Sequence, residues 1–128
     1  MSALAAVAFA SSTVPPAQAA ATEPKVSFEE QVLPIFEEYC NTCHRPGGLG
    51  NISSSLDLTS YKGLMRGSSV GVAIIPFHAD RSPIMRYLKT NWQSNDKNVL
   101  RMPPLGPQLS AKDLKTITDW INQGAKNN

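Results

Sequence analysis

Hydrophobic residues recur along the chain at helical spacing, in segments separated by long polar stretches. The first segment predicts a helix beginning at Ser27, because Glu30 three residues later completes a capping-box pattern. Pro34 should kink this helix or restart it, since its ring displaces the carbonyl four residues back. The helix should deliver Cys40 on its last turn. Its predicted buried face consists of Phe28, Val32, Phe36 and Tyr39.

Two short helices are predicted in the middle of the chain. The first has Thr59 as its cap and ends at Gly67. The second opens at Ser82, with Pro83 at the first helical position, where proline is favoured because its missing amide hydrogen is not needed there. The apolar residues expected on the inner faces are Tyr61, Leu64 and Met65 in the first helix and Ile84, Met85 and Leu88 in the second.

A final helix is predicted from a capping box at Ser110 and Asp113 to a stop at Gly124. Residues 45–56 and 91–108 are predicted loops, and no segment shows strand alternation of useful length. The predicted fold class is therefore all-α, with about four short helices and long loops. The apolar stripe of the last helix consists of Leu114, Ile117, Trp120 and Ile121.

The length of 128 residues fits one globular domain and is too short for a multidomain enzyme. The formal net charge is +2 and no basic run is present, so nucleic acid is not expected as a partner. A domain this small buries only about two thirds of its unfolded surface. A large apolar cofactor would help to complete its core.

The N-terminal segment contains no charged residue up to Ala21 and has an apolar run from Ala3 to Ala10. With Ala17-Gln18-Ala19 it predicts a secretory signal with an A-x-A cleavage site, although no Lys or Arg lies near Met1. The run is shorter than the about 20 residues of a membrane helix, so the alternative is a retained interfacial tail. Either way we expect a periplasmic or otherwise exported protein. The predicted divisions are a signal peptide or retained segment over 1–21, a linker over 22–26 and a domain over 27–128.

The chemistry of the chain is concentrated in Cys40-Asn41-Thr42-Cys43-His44, a C-x-x-C-H motif typical of c-type haem attachment. Two cysteines three residues apart near a helix end place both sulfurs on one side, within reach of the two vinyl groups of one haem. His44 follows directly and directs its imidazole at the iron. The motif therefore predicts one haem c bound through Cys40 and Cys43, with His44 as a metal ligand.

Three other interpretations of the cysteine pair remain open. A redox-active pair needs a thioredoxin-like βαβ setting, which the helical pattern does not provide. A structural zinc site needs four ligands, and His44 follows Cys43 too closely to complete a tetrahedron. A disulfide is expected of an unmodified pair in an oxidising compartment, but so short a loop gains little chain entropy and leaves His44 unexplained.

Met102 is the predicted second axial ligand. The two prolines that follow it, Pro103 and Pro104, have no amide hydrogen and force an extended backbone, so the thioether is held on a stiff loop. Alternatively, Met102 only fills space in the core. His78 is expected to be exposed or bonded to a haem propionate, and its main alternative role is bis-His ligation. Met65 and Met85 are expected in the core.

At these residues the sequence resembles class I cytochromes c, and in detail the planctomycete-type cytochrome c domain. The matching segments lie between Ser27 and Ala125 and read VSFEEQVLPIFEEYCNTCH, SLDLTSYKGLMRG, SPIMRYL, RMPP and LSAKDLKTITDWINQGA. The resemblance implies thioethers at Cys40 and Cys43, proximal ligation by His44, distal ligation by Met102, and first and last helices that cross. The sequence departs from it at Phe77 and His78, where relatives usually have Gly and an acidic residue.

The surroundings of the haem can also be predicted. A backbone carbonyl near Pro46 is a plausible acceptor for the second nitrogen of His44, whose tautomer it would fix. The candidates for contact with the haem propionates are Arg101, Arg66, Tyr61 and Trp92.

One redox centre and no second catalytic motif indicate an electron carrier and not an enzyme, with outer-sphere transfer to redox protein partners and no small-molecule substrate. Residues 22–44 carry one Lys and five Glu, whereas residues 45–101 carry eight basic residues and three Asp. An acidic partner would be steered to the middle loops if these frame the haem edge, although scattered solvated charges explain the pattern equally well. Two other functions remain open: a five-coordinate haem sensor or peroxidase-like module, and an accessory haem subunit docked in a membrane redox complex.

Overall fold

The computed structural model describes residues 23–89 and 99–128. The predicted signal segment and Trp92 lie outside these residues. Within them no strand is formed, and the only pairing of β type is an isolated bridge between Ser68 and Gly71. The all-α prediction is confirmed. A π-helical turn, Phe28–Val32, precedes six helices: α1 Leu33–Tyr39, α2 Asn41–His44, α3 Leu49–Ser54, α4 Tyr61–Arg66, α5 Pro83–Lys89 and α6 Ala111–Asn122.

The N-terminal helix begins at Ser27 as predicted, and the Ser27 hydroxyl accepts the Glu30 amide at 3.2 Å. The return bond of the cap, however, comes from the Gln31 side chain, which accepts the Ser27 amide at 2.9 Å. Glu30 was the expected partner, but the wider π-helical turn brings Gln31 to that position. The chain then restarts as α1 with Pro34 in its first turn, which confirms the predicted interruption.

The caps of the middle helices differ from the prediction. Ser60 and not Thr59 caps α4, because the Thr59 hydroxyl donates to the Asp57 carboxylate at 2.6 Å. Pro83 begins α5 as expected. The buried Ser82 hydroxyl is instead engaged by the preceding loop, where it accepts the Ile75 amide at 2.8 Å. In both cases the predicted capping hydroxyl is bound within the segment that precedes the helix, the Thr59 hydroxyl by Asp57 and the Ser82 hydroxyl by the backbones of Ile75 and His78.

Helix α3 lies within residues 45–56, which were predicted as loop because of their Gly and Ser content. It is held by an Ile52 amide that donates to the Gly48 carbonyl and by a Ser54 hydroxyl that donates to the Gly50 carbonyl, at 2.8 and 2.6 Å. Ser55 ends it in the left-handed conformation. The prediction was wrong here because packing of α3 against α2 overrides the weak helix propensity of a segment rich in Gly and Ser.

Helix α6 provides much of the core. Its predicted capping box is present: Ser110 accepts the Asp113 amide at 3.1 Å, and the Asp113 carboxylate accepts the Ser110 amide at 3.3 Å. Trp120 packs against Phe28, with ring centroids 5.3 Å apart, so the first and last helical segments are in contact. The largest fully buried side chains are Trp120, Phe28, Phe36, Leu64, Ile117, Ile121 and Val32.

The segment that precedes the first helix is joined to the C-terminal part of the chain. The Val26 backbone amide donates to the side-chain oxygen of Gln123 at 2.7 Å, and the side-chain nitrogen of Gln123 donates to the Pro24 carbonyl at 3.0 Å. Asn128 accepts the Phe28 amide at 3.2 Å through its side-chain oxygen. Residues 24–26, predicted as part of a linker, are therefore held against the folded domain.

Candidate functional site

The C-x-x-C-H motif lies at the junction of α1 and α2. Cys40 ends α1, and its amide donates to the Phe36 carbonyl at 2.9 Å. The Cys40 carbonyl in turn accepts the amides of Cys43 and His44, at 3.1 and 2.9 Å. The motif thus forms one tight helical turn, which places Cys40, Cys43 and His44 together.

The two cysteines differ in exposure. Cys40 is buried, Cys43 is half-buried, and no disulfide joins them. Burial raises the pKa of the Cys40 thiol to about 12, and the neighbouring Cys43 adds to the effect. A thiol that stays neutral is a poor nucleophile for disulfide exchange, which disfavours the redox interpretation. Nor do the described residues contain a cluster of three or more His, Cys, Asp or Glu that could hold a metal ion.

His44 is oriented by a backbone carbonyl. Its Nδ1 lies 3.4 Å from the Leu56 carbonyl oxygen, and because a carbonyl only accepts, Nδ1 carries the proton. The expected acceptor near Pro46 is therefore replaced by Leu56, twelve residues after His44. The Leu58 amide donates to the His44 carbonyl at 2.8 Å, so the same segment holds both the backbone and the ring.

The protonation state of His44 follows from its position. Burial lowers the pKa of the imidazole below its ordinary value, and the hydrogen bond to Leu56 opposes this only in part. The ring is thus neutral at pH 7, with a proton on Nδ1 and a lone pair on Nε2. This is the form in which histidine binds a metal ion.

The ring is also confined by the backbone of α3. A Cβ atom at Gly50 would lie 2.8 and 2.9 Å from Cε1 and Nε2 of His44, closer than real Cβ contacts allow. A Cβ at Gly48 would meet the Cys43 carbonyl carbon at 2.9 Å. Glycine at these two positions therefore lets the loop return closely over the motif.

Met102 lies on a separate loop that packs against the core. Its amide donates to the Tyr87 carbonyl at 3.1 Å, and its side chain is half-buried. The loop on either side is strongly apolar and open to solvent, since Leu100 is 61% and Leu105 86% exposed. Arg101 is half-buried within this loop.

The other predicted site residues have different surroundings. The Tyr61 hydroxyl donates to the Ala125 carbonyl at 2.9 Å, and its ring packs edge-on against Phe28. In this structure its hydroxyl proton is thus used within the core, and the role of Tyr61 at a propionate stays a prediction. Arg66, at the end of α4, is exposed. His78 is also exposed, which was one of the two environments expected for it. Among the methionines, Met85 is buried and Met65 packs partly buried against the core, as predicted.

Comparison with known proteins settles the family. The family model described as cytochrome c oxidase, cbb3-type, subunit III matches residues 30–121. The chain belongs to this family of c-type cytochromes. No curated protein and no solved structure matches it at a significant level. As a cytochrome c domain, the protein carries covalently bound c-type haem and functions in electron transfer as a carrier module.

The residues of the site fit such a haem in their chemistry. Two thiols on one helical turn and a neutral imidazole with an unprotonated Nε2 are the donors that the cofactor requires. Large apolar side chains are also exposed to solvent on α3, on the segment after α4 and around Met102, as expected of surface that an apolar ring would cover. They are Leu49, Ile52, Val70, Val72, Leu100 and Leu105.

None of the helices in residues 23–89 and 99–128 combines the length and apolarity that a membrane span needs.

Three contributors to the site were not predicted: the Leu56 carbonyl, the Gly50 backbone and the side chain of Asn51, which donates to the same carbonyl at 3.1 Å. The glycines after His44 were visible in the sequence, but they were taken only as evidence of loop. Backbone acceptors leave no signal in residue type, so the Leu56 contact required the structure.

Proposed function

We propose that the protein is a monohaem c-type cytochrome that transfers single electrons between periplasmic or membrane-bound redox partners. In this proposal Cys40 and Cys43 carry the thioethers, His44 is the proximal ligand and Met102 the distal one. The observation that supports it most strongly is the state of His44, which is neutral, oriented through Nδ1 and adjacent to two cysteines on one helical turn.

The residues of the chain have distinct roles in this proposal. The Leu56 carbonyl keeps the proton on Nδ1, so the Nε2 lone pair of His44 stays available as a ligand. The Met102 loop, anchored to Tyr87, presents a thioether, which favours the reduced state relative to a second imidazole. When bound, the haem supplies an iron that gains and loses one electron. Because both ligands are held by folded segments, little rearrangement accompanies the transfer.

The charge distribution supports an acidic partner. The π-helical turn and α1 expose four glutamates, Glu29, Glu30, Glu37 and Glu38, whereas exposed basic residues lie on the segments that follow the motif. We infer that an acidic redox protein approaches over the basic segments, in a small and transient contact. We also infer that a signal in residues 1–21 directs export to the periplasm. Within the c-type cytochromes, we infer that the domain is of the planctomycete type.

A second candidate function is that of an accessory haem subunit docked in a membrane redox complex. The matched family model supports this function, because the model is described as a subunit of an oxidase. The two functions differ in whether the purified protein exchanges electrons as a free carrier or only within an assembly. Co-purification from native membranes after mild solubilisation distinguishes them.

The ligand assignment is tested by absorption spectra of the ferric protein. The sulfur-to-iron charge-transfer band should be present in the wild type, absent in Met102→Ala, and retained in the matched variants His78→Ala and Met65→Ala. A band that survives Met102→Ala would contradict the assignment. A change of spin state in His78→Ala would transfer the distal role to His78. High-spin ferric wild type that binds carbon monoxide when reduced would favour the five-coordinate sensor instead.

A further inference from the structure

Asn51 bridges the two ends of the segment that encloses His44. It lies in α3, where its side-chain oxygen accepts the Gly47 amide at 3.4 Å and its amide nitrogen donates to the Leu56 carbonyl at 3.1 Å. One side chain therefore links the turn after the motif to Leu56, whose carbonyl accepts the hydrogen bond from Nδ1 of His44.

The Leu56 carbonyl oxygen thus accepts from two donors. Asn51 donates at 3.1 Å and His44 Nδ1 at 3.4 Å, so the shorter bond belongs to Asn51. A carbonyl has two lone pairs and can serve both donors. Each donor withdraws electron density from the oxygen, however, so the Asn51 bond weakens the bond that the imidazole makes.

The strength of the Nδ1 bond controls the electronic character of the ligand. A strong acceptor at Nδ1 draws the proton away and makes the imidazole more basic at Nε2. A more basic ligand stabilises the ferric state and lowers the reduction potential. A weak bond at Nδ1 has the opposite effect, because second-shell hydrogen bonds are one of the means by which a protein sets the potential of a haem.

We propose that Asn51 is a positioning residue that competes with His44 for the Leu56 carbonyl and thereby keeps the reduction potential of the protein high. This inference rests on the proposed function, because it requires an iron bound at Nε2 of His44. It assigns to Asn51 an effect transmitted only through the hydrogen bond of the proximal ligand.

The experiment compares haem-loaded wild type, Asn51→Leu and Asn51→Ala by potentiometric titration. Both variants remove the amide donor, and the leucine keeps a similar side-chain volume. We expect about a tenfold fall in the ratio of reduced to oxidised protein at a fixed potential, equivalent to a shift of ~59 mV for one electron. Ser53→Ala is the matched control, because that exposed hydroxyl donates only to Gly50 within the same helix; its potential should equal that of the wild type.

Nuclear magnetic resonance of the reduced protein provides a second measurement, a chemical shift that would not change if Asn51 had only a structural role. The Nδ1 proton signal of His44 should shift downfield in both Asn51 variants as its bond to Leu56 strengthens. An unchanged potential, or a rise in both variants, would overturn the inference, since a rise would mean that Asn51 only holds the carbonyl in place. Wild-type protein without covalent haem would overturn the proposed function as well, whereas haem-loaded variants with wild-type potential overturn this inference alone.

Discussion

At the scale of single residues, backbone atoms hold the imidazole of His44 in place. A carbonyl faces Nδ1, an amide holds the residue's own carbonyl, and the Gly50 backbone packs against the edge that carries Nε2. Only the side chain of glycine leaves room for this approach. The position of the imidazole therefore depends on a hydrogen atom at Gly50 that any other residue would replace with carbon.

Gly50→Ala is expected to displace the imidazole. The added methyl would lie 2.8 Å from Cε1 and 2.9 Å from Nε2, so the ring or α3 must move. We expect a loss of about 1–3 kcal/mol of unfolding free energy, as for overpacking elsewhere, together with an altered ferric spectrum. Urea unfolding and absorption spectra measure the two effects. Ser53→Ala, on the exposed side of the same helix, should change neither; a wild-type spectrum in Gly50→Ala would show that the ring does not depend on this contact.

The site was predictable where side chains carry the chemistry. The cysteines and His44 follow from one motif, and Met102 follows as a candidate from the prolines after it. Tyr61 illustrates the limit, because its hydroxyl resembles a propionate donor in sequence but is satisfied by the Ala125 carbonyl. Leu56 could not be predicted, since its contribution is a backbone oxygen that every residue possesses.

At the scale of helices, the capping signals succeeded where no group in the preceding segment binds the serine hydroxyl. Ser27 and Ser110 cap the helices that were predicted for them. Thr59 and Ser82 did not, because Asp57 binds the first hydroxyl and the Ile75 and His78 backbones bind the second. The starts of the four predicted helices were thus readable from the sequence to within one residue, whereas α3 was missed and the partners of the Thr59 and Ser82 hydroxyls were not predicted.

Ser110→Ala should weaken α6 without altering the haem site. The substitution removes the acceptor of the Asp113 amide and the partner of the Asp113 carboxylate, at 3.1 and 2.7 Å. The cost is expected to be about 1 kcal/mol of unfolding free energy. Chemical unfolding followed by circular dichroism measures it, and the ferric spectrum should remain that of the wild type. A stability equal to that of the wild type would mean that water replaces the hydrogen bonds of the cap without loss of free energy.

At the scale of the whole molecule, the two ends of the domain are joined by polar and aromatic contacts. Phe28, Tyr61 and Trp120 form one aromatic cluster, with neighbouring ring centroids 5.3 to 6.4 Å apart. Beside it, Asn128 binds the backbone on both sides of Ser27. These contacts fix the first helix, and through it the position of Cys40 at the end of α1.

Asn128→Ala is expected to loosen this junction. It removes the bonds of the side chain to the Phe28 amide and the Val26 carbonyl, at 3.2 and 3.3 Å. We expect a loss of roughly 1–2 kcal/mol, because both backbone groups are partly buried. Asn127→Ala, at an exposed neighbour, is the matched control and should stay within about 0.5 kcal/mol of the wild type. Equal midpoints for the two variants in thermal unfolding would contradict the role given to Asn128.

The central claim is that one haem is attached to the chain through Cys40 and Cys43. Mass spectrometry of the purified protein tests it most directly, with peptide mapping around His44 to locate the modification. The account predicts the mass of the chain plus one haem, with both sulfurs in thioethers and no thiol available to an alkylating reagent. Two free thiols, or a disulfide between them, in protein from cells competent for cytochrome c maturation would contradict it.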